Sequence, residues 1–126
     1  MRYIVPTVLL LLAAIHALPL LGVLGATRLS SLYGIPINEP NLEILMRHRA
    51  VLFGLLAAFL AYAALRPELH RIAMIAATLS VGSFVALTGI VGGANGALVT
   101  VFRVDLVALG LLAVAALAHL LWPAVR

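Results

Sequence analysis

The stretch "EPNLEILMRHRAVLFGLLAAFLAYAALRPEL", residues 39–69, decides the fold. It opens with two glutamates, two arginines and a histidine, then runs without a charge from Ala50 to Leu65. Counted from Asn41, the apolar run is about 25 residues long, enough to cross a hydrocarbon core of ~30 Å as one helix. The run ends in "LRPEL", too short for anything but a tight turn, and Pro67 suits a helix start. The next apolar run must therefore return antiparallel to the first.

Working outward, three further runs have the same length and character, at Tyr3–Gly25, Leu69–Gly92 and Leu98–Trp122. The first is read as a retained helix and not as a cleaved signal peptide. Between the last two lies "GGANG", a glycine-rich turn, whereas residues 26–40 form a long first loop. Asn38 or Asn41 can cap the second helix, with Pro40 in its first turn. The whole chain has 126 residues, 65% of them hydrophobic and 10% charged, at mean hydropathy +1.23. A soluble core of that size cannot hide so much apolar surface. The expectation is one domain over 1–126, an all-α integral membrane protein folded as a single up-down four-helix bundle.

Composition also excludes functions. The chain has no cysteine, so disulfides and iron–sulfur clusters are ruled out. Net charge is +4, carried by arginines scattered at helix ends, which make no basic surface for nucleic acid. They read as interfacial anchors. An even helix count puts both termini on one side, together with Arg2, Arg66, Arg71, Arg126 and the belt Tyr3, Tyr62 and Trp122. Counted over loops, the positive-inside rule then makes that side cytoplasmic.

Within the second helix, Ala50, Gly54, Ala57, Ala61 and Ala64 recur every three or four residues, a small-residue stripe that admits a close neighbour. Extending it backwards points Arg47 inward, with Glu43 one turn earlier and paired to it at i,i+4. The rows led by His48 and by Arg49 are bulky and are expected to face lipid or larger gaps, and Arg49 can snorkel to the headgroups. In the fourth helix Asp105 shares a row with Ala108, Leu112 and His119. An aspartate that far inside an apolar helix should face the bundle. Arg103, on the opposite side, reads as an anchor.

His16 falls just beyond mid-membrane, in the half that holds Glu43, Arg47 and Asp105. His119 lies roughly 15 Å away in depth at 1.5 Å per residue, which disfavours a haem between the two. Each candidate also has a plainer explanation. Glu43–Arg47 can be a structural ion pair, and His16 can bond a helix carbonyl. Glu39, Glu43, His48 and Asp105 match no metal spacing. Ser80, Ser83 and Thr88 can bond backbone, while Gly82, Gly89, Gly92 and Gly93 read as close packing and a turn. No cofactor is indicated.

At "LMRHRAVLFG", Leu45–Gly54, the chain resembles small bacterial DoxX-like four-helix membrane proteins, a group of unassigned activity. The resemblance extends over the whole chain in length and helix layout, and it implies a bacterial inner membrane. Some similar proteins are labelled phosphopantetheine adenylyltransferase. That label implies a soluble nucleotide-binding α/β domain with an H-x-G-H signature, and this sequence has neither, so it is rejected.

The resulting expectation is a protein that binds an amphiphile (lipid, quinone or sterol-like) through a ligand-binding cluster of His16, Glu43, Arg47 and Asp105, with Asn95 near the loop. An accessory subunit of a larger membrane complex, or a homo-oligomer, is the alternative. An intramembrane isomerase using Glu43 or Asp105 is a third, weakened by the scarcity of aromatic residues inside the helices.

Overall fold

The computed structural model describes residues 3–122. Four spans of 21 to 26 residues are long and apolar enough to cross a membrane, at Ile4–Leu24, Pro40–Ala64, Pro67–Val91 and Gly96–Leu121. They alternate in direction, and the protein is an all-α, multi-pass helical bundle. Arg2 and Arg126, two of the arginines expected at the terminal side, lie outside the described residues.

The first span has two parts. Helix α1 (Ile4–Ala17) passes into a 3-10 segment (Leu18–Leu24). Pro19 has no N–H to bond the carbonyl four residues back, and the chain tightens there. Residues 26–40 are not simply a loop: Ala26–Tyr33 form a short helix, α2. It starts after Gly25 and ends at Gly34, whose φ of 65° is the left-handed cap conformation that glycine adopts without penalty. The sequence shows no helix here because eight residues carry little periodicity.

Leu29 and Tyr33 of α2 and Ile37 are buried together, against Leu42 and Met46 of the next helix. Helix α3 (Pro40–Ala64) follows, and its N-cap is Glu39, neither Asn38 nor Asn41. The Glu39 carboxylate accepts from the N–H groups of Asn41 and Leu42, both at 2.9 Å. These two bonds hold its pKa below the ordinary glutamate value.

A 3-10 turn (Pro67–Leu69) reverses the chain into α4 (His70–Val91), and a turn at Gly92–Gly93 leads to α5 (Gly96–Leu121). Helix α1 packs on α3 and α5, and α4 packs on the same two, so α3 and α5 occupy opposite corners. The shared core is narrow because alanines line it. Ala63, Ala73, Ala77, Ala108 and Ala115 are fully buried around Leu9, Leu12 and Leu60. Gly54 meets the 3-10 segment, and a Cβ built there would sit 2.7 Å from Leu20 Cδ1. Gly82 and Gly89, by contrast, have nothing within 4 Å of such a Cβ, so they do not serve close packing within the bundle.

Candidate functional site

A cavity of about 230 Å³ opens in the half of the bundle nearer α2. Its polar wall is His16 from α1, Arg49 from α3, Ser80 from α4 and Asp105 from α5, and α2 closes over it with Leu32 and Tyr33. Each spanning helix thus contributes at least one polar group, and α5 adds Thr100, whose hydroxyl donates to the Gly96 carbonyl at 3.0 Å. Arg49 and Asp105 each lie nine residues inside their helix starts, Pro40 and Gly96, which is about 14 Å of depth. Ser80 lies eleven residues before the end of α4, about 16 Å. The four groups therefore lie at nearly one level.

Two of the four satisfy each other. His16 is 2% exposed, and its Nδ1 lies 2.8 Å from the Leu12 carbonyl while its Nε2 lies 3.2 Å from Ser80 Oγ. A carbonyl can only accept, so in the neutral ring Nδ1 carries the proton and Nε2 accepts from the Ser80 hydroxyl. The ring also lies 5.7 Å from that of Phe53.

The other two are left open. The Arg49 guanidinium lies over two aromatic faces, 5.2 Å from the Tyr33 centroid and 4.8 Å from that of Phe53. Asp105 is 8% exposed. Among the described residues neither the guanidinium nor the carboxylate takes part in a hydrogen bond or in an ion pair of 4.0 Å or less. Opposite charges thus face one cavity without touching.

The sequence places some of these residues differently. Arg47 and Glu43 lie outside the cavity. They form the expected i,i+4 pair, Arg47 Nη1 to Glu43 Oε1 at 3.2 Å, but on the outer surface with side chains 48% and 34% exposed. The small-residue stripe does face inward, with Ala50, Ala57 and Ala64 buried. It does not extend to Arg47. At the α2 end the inward face of α3 turns toward Met46, Arg49 and Phe53, because bulk is needed where the helices stand apart. Arg49 is therefore a cavity residue and not a lipid-facing anchor, and Leu60, on the same row, is fully buried. Its depth, equal to that of Asp105, is the signal in the sequence that could have found it.

Asp105 and His16 are inside the bundle. Asn95 is not a cavity residue; it caps α5 by accepting from Leu98 N–H at 2.9 Å, and donates to the Tyr33 carbonyl at 2.8 Å. Tyr33, Phe53 and Phe84 supply aromatic walls. Tyr33 was hidden in what reads as a loop.

No family model, curated protein or solved structure matches this chain.

Proposed function

We propose that this is an inner-membrane protein that binds an amphiphilic molecule, with its head in the cavity and its tail in lipid. The observation that carries the reading is the unpaired Arg49 and Asp105. A charge at membrane depth costs about 2.5–3.5 kcal/mol on insertion scales, and two that do not reach each other call for a third group between them. Most of the remaining wall is apolar, as a pocket for an amphiphile requires. A route for the tail also exists. Leu18 and Val104 line the cavity and are 62% and 38% exposed, so it reaches the lipid-facing surface between the 3-10 segment and α5.

A second reading, a subunit that docks on a larger complex or on another copy, is favoured by the open surface at Gly82 and Gly89 of α4. Native mass spectrometry of the protein extracted with its lipids distinguishes them. A stoichiometric small amphiphile, lost on Arg49→Met, supports the binder; a co-purified large protein with an empty cavity supports the subunit.

We place the termini in the cytoplasm, on the side of Arg66 and Arg71. Ser31 and Arg66 are exposed at opposite ends. In this cysteine-free chain, Ser31→Cys should react with an impermeant thiol reagent in intact cells and Arg66→Cys should not. The opposite pattern reverses the orientation.

A further inference from the structure

We infer, building on the amphiphile-binding reading, that the head group is a hydroxylated aromatic ring whose hydroxyl sits between Arg49 and Asp105. The donors and acceptors that the cavity leaves unused define the ligand. Arg49 can only donate. The Asp105 carboxylate accepts, and so do the lone pairs of Ser80 and Thr100, whose protons are committed to His16 and to the Gly96 carbonyl. A group that only accepts, such as a ketone or an ether, satisfies Arg49 and leaves Asp105 bare. A group that only donates, such as an ammonium, does the reverse. A hydroxyl does both at once, accepting from the guanidinium while donating to the carboxylate.

Charge narrows the class further. A phosphate would be drawn to Arg49 and repelled by Asp105, with no second cation in the wall. A quaternary ammonium would find the Tyr33 and Phe53 faces already covered by Arg49. A zwitterionic head would meet both charges, but would add two desolvations of its own in an apolar cavity. A neutral hydroxyl adds one small one.

Shape supplies the ring. The cavity of about 230 Å³ exceeds the ~150 Å³ that encloses benzene in an apolar protein interior, so a substituted ring fits within it. Phe84, and the edges of Phe53 and Tyr33 that Arg49 leaves open, border such a ring.

The test uses the full-length protein in detergent micelles with three probes: 4-octylphenol, 4-octylanisole, in which a methyl ether replaces the hydroxyl, and 1-decanol, which has a hydroxyl but no ring. Binding is read by native mass spectrometry and by thermal stabilisation against each probe's effect on Leu55→Ile, a change distant from the cavity. The phenol is expected to bind at least tenfold more tightly than the anisole, because a site built around a hydroxyl rejects the analogue lacking it. Decanol is expected to bind more weakly than the phenol. In the double variant Arg49→Met/Asp105→Leu, which leaves neither charge orphaned, the gap between phenol and anisole should vanish.

Equal binding of phenol and anisole, or of phenol and decanol, overturns the inference. If no probe binds while protein from native membranes carries a stoichiometric amphiphile, the hydroxylated-ring class is wrong and the amphiphile-binding reading stands. If neither probe nor native amphiphile is found, both fall.

Discussion

Asn95 Nδ2 donates to the backbone carbonyl of Tyr33 at 2.8 Å, so the residue that caps α5 also holds the end of α2 over the cavity. One side chain thereby joins a membrane span to its cover. Asn95→Ala removes both bonds and should cost about 1 kcal/mol from the cap alone. Asn95→Asp keeps the acceptor and loses the donor. Hydrogen exchange should then speed up in residues 26–34 while the first turn of α5 stays protected. Wild-type protection of α2 in both variants would show that the Tyr33 bond does not hold it.

Packing against the 3-10 segment should be sensitive to bulk at one glycine and indifferent at another. Gly54 leaves 2.7 Å between a built Cβ and Leu20 Cδ1, so Gly54→Leu should destabilise by about 1–3 kcal/mol or more through overpacking. Gly82→Ala meets open space and removes a poor helix former, so it should stabilise by about 0.5–1 kcal/mol. Leu55→Ile, on a 62% exposed residue, should be nearly silent. Thermal unfolding in one detergent ranks the three, and equal losses from Gly54→Leu and Leu55→Ile would mean that α3 is rotated from the orientation described.

The two ionic sets of α3 should behave unlike each other. Glu43 and Arg47 form an exposed pair, so Glu43→Gln/Arg47→Met should cost less than about 1 kcal/mol. Arg49→Met leaves Asp105 without its facing cation and should lower the thermal unfolding midpoint. Adding Asp105→Leu should recover most of that, because the remaining uncompensated charge is gone. If Asp105→Leu stabilises the wild-type protein as much as it stabilises Arg49→Met, the two charges do not compensate each other.

Acid should loosen the start of α3 through Glu39. The folded-state pKa of this residue is depressed by the two N–H groups it caps. Its contribution is therefore complete above the unfolded-state value of 4.5 and is lost as pH falls through the lower folded value. Glu39→Gln should flatten stability against pH in that acid window, while leaving neutral-pH behaviour on the same helix open to hydrogen-exchange measurement at Asn41 and Leu42. An unchanged acid slope in Glu39→Gln would assign the titration elsewhere.

The four-helix architecture was legible in the sequence because the bilayer imposes it locally. Any apolar run of about 20 residues must satisfy its own backbone as helix, and turns as short as "LRPEL" and "GGANG" fix antiparallel neighbours. Asp105 was legible for a related reason, since a carboxylate amid Ala108 and Leu112 can only turn inward. The residue that faces Asp105 across the cavity, Arg49, was not. Periodicity sorts a helix into faces but does not say which faces are inward at each level, and at the level of Arg49 that depends on where α3 and α5 diverge across the bundle. The position of Tyr33 depended on a short helix stabilised by burial of Leu29 and Ile37 and by a hydrogen bond from Asn95, more than sixty residues away in the chain. Local sequence therefore determined the spans and the residues that must be inside, while the cavity arose from how four helices and one short cover meet, a long-range packing outcome that no single helix encodes.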